Sequence, residues 1–346
     1  MTTDRKSALP EATRADLKQR INVAHALGSL SGDDDAAAEG IRRAITRWVS
    51  AGNPEAPVEA IKMGTTVATN ALLERRGART ALVVTRGFAD ALAIGYQNRP
   101  DIFALNIVKP APLYDQVIEI DERIDASGKV LLPLDESNLR AELLRIRNQG
   151  ISSVAICLMH GYRNPVHEQH VAAVARTAGL AQVSVSHEAE ALIRFISRAE
   201  TTLADAYLTP VLNDYIESLV RALSSVTKPR RLMFMQSSGG LVLAGQFRGK
   251  DSVLSGPAAG VVGMVETARD SGLKRLIGFD MGGTSTDVSA WSGEYERSND
   301  SEIAGVRLRA PMMKIHTIAA GGGSILEYRD GRYRVGPRSA GANPGP

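Results

Sequence analysis

Between residues 277 and 288 the chain reads Ile277-Gly278-Phe279-Asp280-Met281-Gly282-Gly283-Thr284-Ser285-Thr286-Asp287-Val288. Strand-forming residues flank a Gly-Gly turn, with a carboxylate on each side. Adjacent glycines let backbone N–H groups approach an anion. Thr284, Ser285 and Thr286 add hydroxyl donors. Asp280 and Asp287 suit a hydrated Mg²⁺ held beside phosphate oxygens. Together these are the parts of a nucleotide phosphate clamp, with Asp280 and Asp287 as both the metal-holding and the catalytic carboxylates. The rival reading is a plain Gly-Gly hairpin with polar turn residues. Two flanking carboxylates and three hydroxyls weigh against it.

Other stretches carry weaker signals. Gly321-Gly322-Gly323-Ser324 follows an apolar strand at Ile315 to Ala319 and suits a phosphate or adenosine loop, or only a turn. Gly64-Thr65-Thr66-Val67-Ala68-Thr69-Asn70 stands at a strand-to-helix junction. Its hydroxyls and N–H groups suit an anion at a helix N-terminus, or plain N-capping by Thr69. The helix opened by Ser255-Gly256-Pro257 contains Ala258, Ala259, Gly260 and Gly263. A glycine inside a helix costs about 1 kcal/mol against alanine, so a second helix or a ligand is expected to approach closely. His167 and His170 lie three apart on a helix, with His160 upstream. That spacing fits a metal and also a solvated helix face. Cys157 lies in the apolar run Ile156-Cys157-Leu158-Met159 and reads as a buried, inert thiol.

The elements that would hold these groups alternate between strands and helices, the pattern of an α/β protein. Residues 1–20 read as a polar arm, and Asp33-Asp34-Asp35 precede a helix from Ala36 to Val49 that Gly52 and Pro54 end. Strands are predicted at Ala60–Met63, Thr80–Thr85, Val117–Ile124, Val154–Met159, Val183–Ser186 and Arg231–Met235. Helices are predicted at Thr69–Arg76 (capped by Gly77), Gly87–Ile94, Asp135–Asn148, Asn164–Thr177 and Ala199–Ser225. Pro210 should kink or break the last of these. A loop runs from Gln97 to Pro110, and a linker is expected at 226–230.

Composition narrows the class. The 346 residues are 44% hydrophobic and 23% charged, with a net charge of +3, as in ordinary globular proteins. That length accommodates two domains. Aromatics make up only 5% and charges of both signs are interleaved, which argues against a nucleic-acid partner. No run reaches the length of a membrane span. One cysteine fits a reducing cytoplasm, and residues 1–20 lack the apolar core of an export signal.

At this point the ordered blocks match a known family. Gly64-Thr-Thr-Val-Ala-Thr-Asn-Ala-Leu-Leu-Glu-Arg-Arg-Gly-Ala-Arg-Thr-Ala-Leu-Val-Val-Thr-Arg-Gly-Phe88 resembles the N-terminal signature of the hydantoinase A / 5-oxoprolinase family. Gln97-Asn98-Arg99-Pro100-Asp101, Met235-Gln-Ser-Ser-Gly-Gly240 and Leu254-Ser-Gly-Pro-Ala-Ala-Gly-Val-Val-Gly263 are similar to its next blocks. The clamp, His316-Thr-Ile-Ala-Ala-Gly-Gly-Gly-Ser324 and Gly336-Pro-Arg-Ser-Ala-Gly-Ala-Asn-Pro-Gly-Pro346 continue the same order. The resemblance covers nearly everything from residue 21 onward.

The resemblance implies an actin-like ATPase (ribonuclease H-like) fold, with mixed sheets flanked by helices. It implies ATP and Mg²⁺ as cofactors and hydrolysis of a cyclic amide, a hydantoin or 5-oxoproline, by phosphoryl activation of the amide oxygen. Gly282, Gly283, Thr284, Ser285, Thr286, Gly321, Gly322, Gly323 and Ser324 would then meet the nucleotide. Thr65, Thr66, Asn70, Arg99 and Asp101 would face the substrate. A hydantoinase B-type subunit is the expected partner of such a cytoplasmic A-type chain. The implied division is an arm at 1–20, an N-terminal region at 21–190, a helical connection at 191–230 and the ATPase-type domain at 231–346. Alternatives are a non-catalytic nucleotide-binding remnant and an acetone carboxylase β-like subunit.

Two departures stand out. The family's earlier Asp-x-Gly-Gly-Thr hairpin has no counterpart in residues 1–20, which hold no Gly-Gly. The chain therefore reads as truncated at both ends, and the expectation is slow or absent ATP hydrolysis by this polypeptide alone. Lys314 stands where many members carry an acid, and Ala320 where a glycine is common.

Overall fold

The computed structural model describes residues 36–50, 58–97, 103, 105–107, 109–224, 229–269, 271–283 and 285–340. The expected polar arm, the acidic start at Asp33-Asp34-Asp35, the stop at Gly52 and Pro54, and Arg99, Asp101 and Thr284 lie outside the described residues. So do linker residues 226–228 and the last blocks of the C-terminal motif. The chain divides into two units: Met1–Ile61 with Tyr215–Arg231, and Lys62–Asp214 with Leu232–Pro346.

In the first unit, α1 (Ala36–Ser50) is the predicted helix. Glu39 in its first turn complements the helix dipole and pairs with Arg43 at 2.8 Å and with Arg42. Strand β1 (Ala60–Met63) follows, its last two residues already counted in the second unit.

In the second unit, α2 (Val67–Leu73) and β2 (Thr80–Thr85) lead to α3 (Ala91–Ile94) and β3 (Gln116–Ile120). The two-stranded ribbon of β4 (Arg123–Ile124) and β5 (Val130–Leu132) comes next, then α4 (Glu136–Asn148), β6 (Ser153–Cys157), α5 (Val166–Thr177) and β7 (Gln182–Val185). Strands β3-β2-β6-β7 form one parallel sheet in that order, with Leu82 opposite Val117 and Ala155. Every residue of β2 and of β6 is buried, so both strands read as continuous apolar runs rather than alternating ones. One face carries Ala81, Val83, Val154 and Ile156 into a core with Leu139, Leu143 and Ile146 of α4 and Val171 and Ala175 of α5. Each such side chain contributes roughly 1.5–3 kcal/mol on burial. Asp135 caps α4, its Oδ1 accepting from the Ser137 N–H at 3.1 Å.

The opposite face meets a long helix. After the single turn α6 (Ser186–Ala189), α7 runs unbroken from Phe195 to Leu223 with Pro210 inside it. The expected break at Pro210 does not occur, for a local reason. Proline leaves the carbonyl of Ala206 without its helical donor. The buried Ser153 hydroxyl donates to the Ala206 oxygen at 2.6 Å, and the Ala78 N–H donates to the Tyr207 oxygen at 2.9 Å. The one freed acceptor is thus satisfied by a neighbour distant in sequence, and the next carbonyl is tied to β2's approach as well. Gly77, expected as a helix cap, has another role: a Cβ there would fall 2.1 Å from the Tyr207 ring, and α2 ends earlier, with Glu74 as its C-cap.

Strands β8 (Arg231–Met235) and β9 (Leu241–Leu243) pair antiparallel and precede α8 (Ser255–Arg269). Then β10 (Leu276–Met281), β11 (Thr286–Trp291), β12 (Arg297–Ser298), β13 (Ser301–Ile303), β14 (Val306–Leu308), β15 (Met312–Met313) and β16 (His316–Ile318) follow. A closing hairpin consists of β17 (Ser324–Arg329) and β18 (Arg332–Ser339). The sheet β10-β11-β16 carries the glycine turn. The described residues contain no helix long and apolar enough to cross a membrane.

Candidate nucleotide site

The Gly-Gly stretch is the tip of the antiparallel hairpin β10–β11, as its alternating pattern predicts. The register sets Asp280 opposite Asp287 and Met281 opposite Thr286. Residues directly opposite in such a pair point to the same face, with Cβ atoms about 5 Å apart. The two carboxylates therefore share a face. On that side lies α8: a Cβ at Gly278 would come within 2.8 Å of the Met264 sulfur, and one at Gly260 within 4.0 Å of Asp280 Oδ2. The other face of β10 presents Ile277, Phe279 and Met281, which are 79%, 68% and 55% exposed.

The tip is braced by the second glycine run. Gly322 N–H donates to the Gly282 oxygen at 2.9 Å, and Gly323 N–H to the Gly283 oxygen at 2.7 Å. Gly321 N–H is taken by Ser324 Oγ at 2.9 Å. Sequence reasoning put these N–H groups at the nucleotide; here they hold the hairpin. Gly282 N–H donates to the Ser285 oxygen at 2.9 Å, while Gly283 N–H has no partner among the described residues. The buried Thr286 hydroxyl donates to the Ala320 oxygen at 2.6 Å. Asp287 Oδ1 accepts from the Thr317 hydroxyl at 2.6 Å, so one oxygen of that carboxylate is oriented by β16. Thr317 lies in the His316–Ser324 block, but its tie to Asp287 could not be read there, because strand pairing across this distance leaves no local spacing pattern. Asp280 makes no comparable side-chain bond among the described residues.

The Gly64–Asn70 block packs on the opening turn of α8. Thr65 N–H donates to Ser255 Oγ at 3.2 Å, and the Thr65 oxygen accepts from Gly256 N–H at 3.1 Å. Thr69 does not cap its own helix; its hydroxyl accepts from Leu254 N–H at 2.9 Å. A Cβ at Gly64 would fall 2.8 Å from that of Ala259. The close approach that the glycines of α8 foretold is therefore to this block and to β10, rather than to a second helix. Among the substrate candidates, Thr65 is buried in these contacts, and Thr66 and Asn70 are exposed.

Of the three candidate histidines, two hold carboxylates, while His160 Nδ1 is buried without a hydrogen-bond partner among the described residues. His167 Nδ1 lies 2.7 Å from the buried Glu122, and His170 Nε2 lies 2.7 Å from Glu136. Cys157 is buried, and burial pushes its thiol up to about 11, the expected inert state. Lys314 reaches Glu296 at 3.7 Å. Among the described residues no group of three or more His, Cys, Asp or Glu is placed to hold a metal ion. The facing pair Asp280 and Asp287 supplies two hard oxygen ligands. That set fits a cation such as Mg²⁺, which keeps several waters and takes its other ligands from phosphate.

The same segments match known proteins. A family model described as the hydantoinase/oxoprolinase N-terminal region matches residues 12–179, and one described as hydantoinase/oxoprolinase matches residues 198–346. The chain belongs to the hydantoinase/oxoprolinase family. It is 44% identical over 354 residues to 5-oxoprolinase 1 of Arabidopsis thaliana, covering 93% of this chain and 28% of that protein. It is 37% identical over 294 residues to caprolactamase subunit alpha of Pseudomonas jessenii, covering 82% and 42%. The crystal structure of the ATP-dependent caprolactamase from Pseudomonas jessenii matches with a TM-score of 0.77 and 32% identity, over 93% of this chain and 49% of that one. Nucleotide-free acetone carboxylase matches with a TM-score of 0.70 at 23% identity, over 88% and 46%, a likeness of fold alone. The actin-like α/β fold expected for this hydantoinase/oxoprolinase chain is borne out by these matches. The chain spans about a quarter to a half of the length of these relatives.

Proposed function

We propose that this chain is the nucleotide-binding part of an ATP-dependent enzyme that opens a cyclic amide of the hydantoin or 5-oxoproline type. The observation that carries the reading is the Asp280–Asp287 pair, set face to face across the Gly282-Gly283 tip and braced by Gly321–Ser324. Like charges directly opposite on a sheet repel, and a divalent cation shared between them and phosphate oxygens reverses that cost. Mg²⁺ bound there would neutralise charge on the transferring phosphoryl group. Gly283 N–H and the Ser285 hydroxyl stand at the tip to meet phosphate oxygens, and Thr284 follows in sequence. The relatives named for 5-oxoproline and caprolactam support a lactam substrate.

The chemistry follows from the substrate. An amide carbon is a poor electrophile. Transfer of the γ-phosphoryl group to the amide oxygen forms a phosphorylated imidate and ADP. Water then adds to the carbon, the ring C–N bond breaks with the nitrogen leaving as the protonated amine, and a second water hydrolyses the resulting acyl phosphate to the carboxylate and inorganic phosphate. On this reading residues 231–346 are the ATPase-type domain, and Thr65, Thr66, Asn70, Arg99 and Asp101 are candidates for the substrate side. A cytoplasmic setting and a B-type partner subunit complete the proposal. The subunit name of the caprolactamase relative supports the latter.

The test is Mg²⁺-dependent nucleotide binding by the purified chain, followed with a fluorescent ATP analogue. Asp287→Asn should weaken binding at least tenfold. Affinity that ignores both Mg²⁺ and this substitution would sink the reading. Ring opening itself is tested with the longer enzyme and its partner, by lactam-stimulated ADP release.

A further inference from the structure

A second polar site lies apart from the glycine turns. A cleft of about 320 Å³ is lined by Tyr96, Arg194, Ser197, Asp300, Ser301, Glu302, Arg307, Leu308 and Arg309. None of the hairpin or glycine-loop residues lines it. Its walls carry three guanidiniums and two carboxylates. The pairs between them are loose: Arg309 Nε is 3.7 Å from Asp300, and Arg307 Nε is 3.4 Å from Glu302. Charge-assisted bonds normally close to about 2.7–2.9 Å. The carboxylates are the exposed members of these pairs and the guanidiniums the more buried ones, so Arg307 and Arg309 keep donors turned away from bulk water. Arg194 has no carboxylate partner among the described residues. Arg307 lies over the Tyr96 ring, 4.5 Å from its centroid, which fixes one apolar wall and leaves the guanidinium edge free to donate.

The charge count selects the ligand. Three arginines against Asp300 and Glu302 leave one positive charge in the cleft. Glu200 stands beside Arg307 and Glu302, its buried Oε2 has no hydrogen-bond partner among the described residues, and burial raises its carboxyl to about 7, so below that pH it is mostly protonated and leaves this surplus in place. A doubly charged phosphate would meet two fixed carboxylates with a single surplus cation. A monoanion balances the site. The planar guanidinium fork matches a carboxylate with two parallel bonds. Tyr96 and Leu308 offer apolar surface for the rest of a small molecule.

We propose that this cleft binds a small monocarboxylate, held by Arg194 and Arg309 against the Tyr96 wall. The carboxylate can belong to a lactam ring or to a free acid that is not a substrate. The two sources share the same recognition chemistry.

The experiment is calorimetric titration of the full chain, without nucleotide, with three probes: L-oxoproline, pyrrolidinone (the same ring without its carboxylate) and N-acetylalanine. Both acids should bind, and pyrrolidinone at least tenfold more weakly. Tighter binding of L-oxoproline assigns the carboxylate to a ring ligand; equal binding of the two acids assigns it to a free acid. Arg194→Ala should weaken both acids at least tenfold, and Arg309→Gln should do the same, so that either one keeps the test decisive if the other fails to fold. Pyrrolidinone binding as tightly as L-oxoproline overturns the proposal, as does acid affinity unchanged in both variants. Nucleotide binding, measured separately, bears on the hairpin alone, so either site can fail without the other.

Discussion

Replacing Asp280 with asparagine should make the protein more stable without metal and less responsive to it. Asp280 and Asp287 are direct cross-strand partners. At about 5 Å, two exposed like charges repel by roughly 0.8 kcal/mol in water, within the range of about 0.2–1 kcal/mol measured for such pairs. Asp280 is the cleaner choice, because Asp287 also accepts a bond from Thr317. Urea denaturation in EDTA should place Asp280→Asn about 0.5–1 kcal/mol above wild type. About 1 M NaCl, which cuts the screening length to about 3 Å, should erase that gain. Mg²⁺-nucleotide at one hundred times its Kd stabilises a single-site protein by about 2.7 kcal/mol. A variant that binds tenfold more weakly keeps only about 1.4 kcal/mol at the same concentration. The reasoning is refuted if Asp280→Asn is less stable than wild type in EDTA, or if its Mg²⁺-nucleotide stabilisation is undiminished.

Ser153→Ala should cost about 1–3 kcal/mol in denaturant midpoint stability, because the Ala206 oxygen loses its buried donor. In a Pro210→Ala background, where a helical N–H is restored, the same change should cost much less. Glu200 supplies a pH signature. Burial, partly offset by Arg307, raises its carboxyl to about 7 from the ordinary 4.5. A raised acid contributes stability fully below pH 4.5, and loses it as pH rises through 7. At about 1.36 kcal/mol per pH unit the ceiling is about 3.4 kcal/mol; solvent screening of a half-buried group reduces this to about 1–2 kcal/mol. Glu200→Gln should therefore stabilise the protein at pH 8 and leave it nearly unchanged at pH 4.5, as read by thermal melts at both values. Gly260→Ala and Gly263→Ala should each add about 1 kcal/mol of helix stability. Only the former, beside Asp280, should weaken Mg²⁺-nucleotide binding in the same titration.

What could be read in advance was local. The strand Thr80–Thr85 and the helix after Asp135 follow from β-branched runs and a capping carboxylate, and both are found where expected. The hairpin at Gly282-Gly283 declared itself, because its carboxylates, glycines and hydroxyls lie within eight residues and register then sets the acids opposite each other. The strand predicted from Val117 to Ile124 breaks after Ile120, where Glu122 leaves the ladder to be buried against His167 and Thr85. That break depends on His167 and Thr85, far away in sequence. Pro210 misled for the same reason. The rule that proline breaks a helix rests in part on a stranded carbonyl, here that of Ala206, and that cost is removed when Ser153 supplies the donor.

The glycines show how one residue type serves unrelated ends. Gly77 yields space to the Tyr207 ring, and Gly64 yields it to Ala259. Gly322 and Gly323 donate to the hairpin tip, so a run that looked like a second phosphate loop is spent on holding the first. Nothing in the spelling Gly-Gly-Gly separates a loop that binds phosphate from one that binds its neighbour. What separates them is whether the N–H groups already have acceptors. By that criterion the groups of the proposed site still open to a ligand among the described residues are Gly283 N–H and the Asp280–Asp287 pair. The three glycines near Ser324 then act on a ligand through the rigidity of the hairpin rather than by contact. Loss of the brace should loosen the tip without removing a single phosphate donor.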